Sequence, residues 1–353
     1  MSAADAAAGA VAHPAAADRT GGVDPVGLAC ALATALTWGL VGPLVRAIPA
    51  LTPVELVAGR LAFALTAALP ALAFAGARRE VAHASRSRTA WALAALLTAY
   101  YLLAVAAFRA APVADVALLL ATAPLCALAL RRIGGRRLGI ARVPRVGGLG
   151  TAARERTGAL VALAGVAVTL VPSLRAASGR GDAGRLVGDG LALLAAAASA
   201  AYALVFDAAR RRAAESGGRR TADAAASVGP RRAPAPLGVA LLTFALGTAV
   251  LALRAGAFGV PLVHTERLDE RGWALLAVLG VLSTAVPTLA FAAAARRLPP
   301  VLTSAAQLLV PVVAAVAAAV TLGERLSPWL VPGGALVAAG LLRMLAPAPA
   351  RTL

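Results

Sequence analysis

The sequence predicts an all-α integral membrane protein whose ten transmembrane helices form two inverted repeats of five. Sixty per cent of the 353 residues are hydrophobic, only 14% are charged, and the mean hydropathy is +0.81. A soluble domain cannot bury that much apolar surface. The apolar residues fall into ten runs, and two runs that lie far apart in the chain share the same proline layout.

Most of the runs are long enough to cross a hydrocarbon core of about 30 Å as helices. Helices are expected because lipid offers the backbone no hydrogen bonds, and the alternating pattern of a barrel strand is absent. In chain order the runs are Gly27–Ile48, Val54–Ala75, Thr89–Phe108, Val113–Leu130, Thr157–Leu174, Asp189–Phe206, Leu237–Phe258, Gly272–Ala293, Val301–Leu322 and Pro328–Leu345.

The arginines predict the orientation of the chain. All 34 basic residues are Arg, and they lie mainly between the apolar runs, which is the pattern of a membrane protein and not of a nucleic-acid-binding one. With the N-terminus inside, 24 arginines fall in cytoplasmic segments and nine in external ones, and Arg60 lies within a run. The protein is expected in the inner (cytoplasmic) membrane. Because cytoplasmic loops are enriched in Arg, both termini are expected on the cytoplasmic side.

The segments outside the runs are expected to be flexible. Residues 1–26 lack the basic start and apolar core of a secretory signal and are interpreted as a disordered cytoplasmic tail, and residues 346–353 as a second tail. Two basic segments, residues 131–156 and 207–236, are rich in Gly and Pro. Their expected partner is the layer of anionic lipid headgroups, with a regulatory protein as the alternative.

The two halves of the chain share several features, which predicts an internal repeat of residues 27–175 and 188–345. Pro112 and Pro124 are twelve residues apart, as are Pro299 and Pro311. The spacings Gly158–Gly165 and Gly333–Gly340 also match, and Trp-Ala-Leu opens both the third and the eighth run. Five spans per half would make the second half enter from the opposite side, which is the usual construction of secondary transporters with a midplane site.

Motifs in both halves resemble the EamA family of the drug/metabolite transporter superfamily. The second half carries Gly-Asp-x-Leu-Ala-Leu-Leu from Gly188, an arginine-proline exit at Arg296–Pro299 and Leu-Gly-Glu-Arg from Leu322. The first half carries Thr-Trp-Gly from Thr37 but lacks the Leu-Gly-Glu-Arg exit. The resemblance implies a transporter, not an enzyme, that exports a small metabolite such as an amino acid, with protons as the candidate coupling ion.

Several intramembrane residues are candidates for a substrate cavity because polar groups at membrane depth need a partner or water. Arg60 is the charged candidate; snorkelling or pairing with Glu55 are its alternatives. The proline breaks and the charged exit of the ninth run are gating candidates, with passive kinks and a local ion pair beside Arg325 as alternatives. The cavity candidates are Trp38, Arg60, Tyr100, Tyr101, Tyr202 and Gln307, and the gating candidates are Pro124, Pro311 and Glu324.

Two aspartates begin apolar runs. Asp115 could carry a coupling proton or cap the N-terminus of its helix, and Asp189 is expected to cap the sixth span. No cofactor or metal is expected, because the sequence has no phosphate-binding loop and no paired His or Cys ligands. The alternatives to a metabolite exporter are a drug or nucleotide-sugar carrier, and a membrane scaffold or sensor without transport.

Overall fold

The computed structural model describes residues 24–134, 149–178, 183–218, 235–259, 261–298, 302 and 306–345, and all regular structure in these ranges is helical. The α-helices are α1 (Pro25–Gly39), α2 (Val41–Ala47), α3 (Pro53–Ala68), α4 (Ala75–Ser85), α5 (Arg88–Ala110), α6 (Val113–Leu120), α7 (Ala123–Gly134), α8 (Leu149–Ser178), α9 (Ala183–Gly218), α10 (Pro236–Ala257), α11 (Glu270–Gly280), α12 (Val286–Arg297), α13 (Leu309–Leu322) and α14 (Leu330–Leu345). Short 3-10 helices lie at Leu69–Ala73 and Thr265–Arg267, and a π-helical turn, Val281–Ala285, joins α11 to α12.

In the described part of the chain, seven helical stretches are long and apolar enough to cross a membrane. They are Pro25–Ala47, Pro53–Ala73, Arg88–Ala110, Val113–Arg131, Gly184–Ala213, Pro236–Ala257 and Glu270–Phe291. Three shorter apolar helices, Arg156–Pro172, Leu309–Leu322 and Leu330–Met344, fall on the fifth, ninth and tenth predicted runs. The prediction of an all-helical chain with multiple membrane spans is confirmed.

Local sequence sets where the spans begin and end. Asp24 accepts hydrogen bonds from the first free amides of α1, and the Asp269 side chain does the same for α11. Thr52 and Glu55 form a reciprocal capping box at the start of α3. At the other end of a span, Gly323 stops α13 with a φ of +64°, a left-handed conformation that glycine adopts without strain.

The helices pack in pairs that cross between the two halves of the chain. Helix α1 packs against α12 and α13, and α9 packs against α5 and against α6 and α7. Helix α3 packs against α11, and α10 packs against α5. Three further pairs join helices at the same position in each half: α3 with α10, α6 with α13, and α8 with α14.

The glycines with matching spacing lie at the contact between α8 and α14. A Cβ atom on Gly158 would lie 2.7 Å from the Gly340 carbonyl oxygen, and one on Gly165 would lie 2.6 Å from the Gly333 oxygen. The backbones are therefore in direct contact, as small residues allow between membrane helices. Because the earlier glycine of one helix meets the later glycine of the other, α8 and α14 run antiparallel.

The structure changes some of the expected boundaries. Helix α9 continues to Gly218, so the start of the predicted flexible segment 207–236 is helical. Helix α4 forms within the segment expected to be a loop, because α10 packs on it and Gly238 lies against the Glu80 carbonyl. Asp189 does not cap the sixth span, since α9 begins at Ala183 and Asp189 lies inside the helix. Residues 1–23, 135–148, 219–234 and 346–353 of the predicted tails and basic segments lie outside the described residues.

Candidate functional site

Arg60 lies in the interior of the bundle and connects the two halves of the chain. Only 3% of its surface is exposed. Its Nε atom donates a hydrogen bond to the Thr284 Oγ1 atom, and its Nη2 atom donates to the Ser283 carbonyl at 3.1 Å. Its Cζ atom lies 4.5 Å from the ring centroid of Tyr101, a cation–π distance. A cation at this depth is thus held by neutral oxygens and one aromatic face.

The helix that receives Arg60 is shaped by its own sequence. Pro287 has no N–H to donate to the Ser283 carbonyl four residues earlier, so that oxygen can accept from Arg60. The π-helical turn at Val281–Ala285 widens the helix at the same place, a distortion often found at functional sites. A Cβ atom on Gly280 would lie 2.7 Å from the Arg60 carbonyl oxygen, so the glycine allows α3 to approach closely.

Sequence reasoning ranks Ser283 and Thr284 as weaker candidates, because their hydroxyls can bond to their own helix, and it does not pair them with Arg60, although two signals are present. Gly280 and Pro287 lie seven residues apart, on either side of the centre of the eighth span. Ser283 and Thr284 between them are buried. A glycine for close approach followed by a proline that removes a backbone donor would have identified the segment as a partner for a buried cation.

The structure brings some of the predicted cavity residues into one cluster and gives two others different ring partners. Tyr100 and Tyr101 are adjacent in α5, with ring centroids 5.5 Å apart, so that Arg60, Tyr101 and Tyr100 form one cluster. Trp38 contacts Phe291 at 5.6 Å, and Tyr202 stacks on Phe206 at 6.1 Å. The Gln307 Nε2 atom is buried, and no described residue provides it with a hydrogen-bond acceptor.

Both helices with matched prolines are broken just before the proline. Helix α6 ends at Leu120 and α7 begins at Ala123, so the break precedes Pro124. In the second half a turn at Leu308 precedes α13 and Pro311. The Thr122 hydroxyl donates to the Leu119 carbonyl at 2.6 Å and satisfies an oxygen at the first break.

Among the described residues, two ion pairs and one carboxylate–histidine contact join the two halves at one end of the bundle, called here the ion-pair end. Asp115 pairs with Arg185 at 2.6 Å, and Arg46 pairs with Glu324 at 3.3 Å. Glu55 is paired with the Nδ1 atom of His264 and also accepts from the His264 backbone amide at 3.1 Å. The three carboxylates are largely buried. Each contact joins the first half to the second, with Arg185 counted in the second half because it lies on α9, the first helix of that half.

These contacts decide against four of the alternatives that the sequence left open for charged residues. Asp115 does not cap α6; the carboxylate that accepts from the first amide of α6, Val113 N, is that of Glu324, with distances of 3.1 and 3.2 Å. The partner of Glu324 is Arg46 instead of the adjacent Arg325. Glu55 pairs with His264 and not with Arg60. Arg60 does not snorkel to a membrane surface, because it is buried against the second half.

Arg46 and Arg109 add backbone contacts at the ion-pair end. Arg46 donates to the Phe108 carbonyl in the last turn of α5 at 2.9 Å and to the Ala111 carbonyl just after it at 2.5 Å. Arg109 donates to the carbonyls of Ile48 and Leu51, the latter at 2.7 Å. These bonds tie α2 and the turn after it to the end of α5.

A cavity of about 380 Å³ lies at the ion-pair end. Asp115 and Arg185 lie on its wall with Glu324 and Arg325, and the turn at Leu326–Pro328 completes the wall. The cavity is therefore lined by carboxylates and guanidinium groups from both halves.

Comparison with known proteins assigns the family. A family model described as the EamA-like transporter family matches residues 25–142 and 224–346, more than half of the chain. The chain belongs to the EamA-like transporter family. It is therefore a multi-pass membrane transporter of the drug/metabolite transporter type with a small-molecule substrate, and the predicted family is confirmed.

A solved crystal structure of another protein is similar to this chain in fold. The two share 18% sequence identity with a TM-score of 0.57, and the match covers 90% of this chain and 95% of the other. No curated protein matches the chain. Helices α8 and α9 lie between the two stretches that match the family model.

Proposed function

We propose that this EamA-like transporter is a ten-span secondary transporter that exports a small metabolite, such as an amino acid, across the cytoplasmic membrane by alternating access. The observation that carries the proposal is Arg60: a buried cation at the junction of the two halves, bound to the second half through Thr284 and the Ser283 carbonyl. A substrate carboxylate would compete for this guanidinium, since charge-assisted hydrogen bonds are stronger than bonds to neutral oxygens.

The packing supports two inverted repeats, residues 27–175 and 188–345. By their position in each half, α1 corresponds to α9, α3 to α10, and α5 to α11 and α12. Under this correspondence, the contact of α1 with α12 becomes the contact of α9 with α5. The same correspondence turns the contact of α3 with α11 into that of α10 with α5. The antiparallel α8 and α14 are counterparts, as inverted topology requires. Two halves related in this way can rock about a central site.

The ion-pair end is the proposed external gate. The arginine distribution favours both termini in the cytoplasm, which places the start of α6 and the end of α13 outside. The three contacts between the halves close this end, while Pro124 and Pro311 break the helices that would bend as it opens. Asp115 remains the proposed coupling residue, because its protonation would remove its attraction to Arg185.

The cavity residues proposed from the sequence take different roles. Tyr100 and Tyr101 are proposed to contact substrate beside Arg60. The buried Nε2 atom of Gln307, which has no hydrogen-bond partner among the described residues, is proposed to donate to a polar group of the substrate, because an unpaired buried donor is costly. Trp38 and Tyr202 are proposed to line the substrate path. Trp38 is held there by Phe291, and Tyr202 by Phe206.

Flux measurements in proteoliposomes test the proposal. Radiolabelled amino acids should cross the membrane when a pH gradient is applied, and purified Arg60→Lys should lose at least about tenfold of the flux per folded protein, because lysine cannot reproduce the planar fork. Arg254→Lys is the matched control, since Arg254 is exposed and stacks on Phe258 at 5.6 Å away from the cluster. Absence of flux for every amino acid would reject that substrate class, and normal flux in Arg60→Lys would remove Arg60 from the site.

A further inference from the structure

The wall of the cavity at the ion-pair end carries equal numbers of acidic and basic side chains. Two carboxylates, Asp115 and Glu324, face it together with two guanidinium groups, Arg185 and Arg325. The remaining wall is largely apolar and includes Pro112 and Leu326. The cavity volume of about 380 Å³ falls within the range of small-molecule sites, roughly 300–1,000 Å³.

Asp115 and Arg185 are the central pair of this wall. They come from different halves, and their side chains are 4% and 20% exposed. Arg185 uses one Nη2 donor for Asp115 at 2.6 Å, while its Nε atom is buried and has no hydrogen-bond partner among the described residues. A guanidinium with a spare buried donor can donate a hydrogen bond to a second oxygen atom.

We propose that this cavity is a binding site for a zwitterionic α-amino acid with an aliphatic side chain. The ligand carboxylate binds Arg185, the ligand ammonium group binds Asp115, and the side chain rests on Pro112 and Leu326. A zwitterion supplies a counter-charge to both members of the separated pair. A ligand with a single charge would leave one buried partner unpaired, which is strongly unfavourable.

This inference rests on the proposed transport function and adds a step to it. Because Asp115 and Arg185 belong to opposite halves, a ligand that inserts between them replaces a contact that holds the halves together. The exported molecule would itself substitute for the closing ion pair and then leave from the same cavity. The cavity at the ion-pair end therefore selects ligands by their pattern of charges. It is a separate site from the Arg60 cluster inside the bundle.

Equilibrium binding to the purified full-length protein tests the ligand class. Radiolabelled L-leucine is the probe, with leucinamide as the competitor that lacks a carboxylate and N-acetyl-leucine as the competitor that lacks an ammonium group. We expect leucine to bind and each competitor to be at least about tenfold weaker than unlabelled leucine. Absence of leucine binding, or equal competition by leucinamide, would overturn the proposal.

Variants and protection from thiol labelling test the place of binding. Asp115→Asn and Arg185→Gln should each weaken leucine binding by about tenfold or more, whereas Asp207→Asn, which removes an exposed ion pair within α9, should not change it. In a chain with Cys30 and Cys126 replaced by Ala, leucine should slow labelling of Ser327→Cys on the cavity wall but not of Ser85→Cys on α4. Unchanged labelling at position 327 while leucine binds would place the ligand elsewhere and overturn the proposal.

The two proposals fail in different ways. Leucine binding and protection at position 327 without flux would retain the cavity site and reject alternating access for this ligand. Flux of leucine with no protection at position 327 would retain transport and reject the cavity site.

Discussion

At the scale of single residues, a substitution at Thr284 tests how the buried Arg60 cation is held. Thr284→Val removes the acceptor of the Arg60 Nε donor without a large change in volume. Because hydrogen bonds to charged groups are worth about 1.5–3 kcal/mol, we expect the variant to lose stability of that order. The measurement is the midpoint of thermal unfolding in detergent.

Thr321→Val provides the matched control for this residue. Thr321 is exposed on α13, and its hydroxyl donates only to the carbonyl of Ala317 in its own helix at 2.7 Å. Its replacement should leave the midpoint nearly unchanged. If Thr284→Val and Thr321→Val lowered the unfolding midpoint equally, the hydrogen bond from Arg60 to Thr284 would add nothing to stability.

The charged residues also show where prediction from sequence ends. The sequence indicated that Asp115, Glu324 and Arg60 need partners, because charges near or within a bilayer are costly. It did not indicate which partners, since Asp115 is 70 residues from Arg185 and Val113 is 211 residues from Glu324. Local rules suggested a cap at Asp115 and a neighbouring arginine for Glu324. The folded chain instead brings in partners from the other half.

At the scale of helices, the contact of α8 with α14 gives a prediction about glycine. Gly165→Ala places a Cβ atom 2.6 Å from the Gly333 oxygen and from the Val337 nitrogen, and these backbone atoms cannot move without separating the helices. We expect a loss of about 1–3 kcal/mol in stability, the usual cost of overpacking. Thermal unfolding of the purified variant measures it.

Gly190→Ala is the control on another span. A Cβ atom at Gly190 meets nothing within 4 Å, so the substitution should be neutral or should stabilise α9 by up to about 1 kcal/mol through backbone entropy. The opposite order of the two variants would contradict a close backbone contact between α8 and α14.

Elements defined by local chemistry could be predicted, whereas those defined by packing could not. The breaks before Pro124 and Pro311 follow from the missing N–H of proline, which acts within one turn. The seven-residue glycine spacing indicated a packing face in each half, but only the structure pairs Gly158 with Gly340. Helix α4 is polar and short, and its position depends on its contact with α10, so no membrane-span pattern could indicate it.

At the scale of the whole molecule, composition was sufficient for the architecture. An apolar chain with ten runs and no alternating strand pattern has few alternatives to a helical membrane bundle, because only helices and closed barrels satisfy every backbone group in lipid. The arrangement of the spans needed the structure, since large apolar side chains lie on the outside of the bundle as well as in its core. The exposed large side chains Leu253, Val320 and Val331 illustrate the point.

Closure at the ion-pair end gives the last prediction. Arg46 pairs with Glu324 at 3.3 Å and holds the Phe108 and Ala111 carbonyls, so Arg46→Gln removes one link between the halves and loosens the end of α5. The population of molecules open at this end should rise, because a link of about 1 kcal/mol changes a two-state ratio about fivefold. A cysteine at Ala114, which is 3% exposed on the cavity wall, should then be labelled several-fold faster by a membrane-impermeant thiol reagent in the chain without Cys30 and Cys126.

A pair with the same separation at another position tests whether location matters. Asp24 and Arg297 also join the two halves at 3.3 Å, but they are more exposed and lie where α1 begins and α12 ends, away from the ion-pair end. Asp24→Asn should leave labelling at position 114 unchanged. Faster labelling in both variants would indicate general loosening of the bundle, whereas a response to Arg46→Gln alone supports an external gate, because only a link at the closed end can bias opening there.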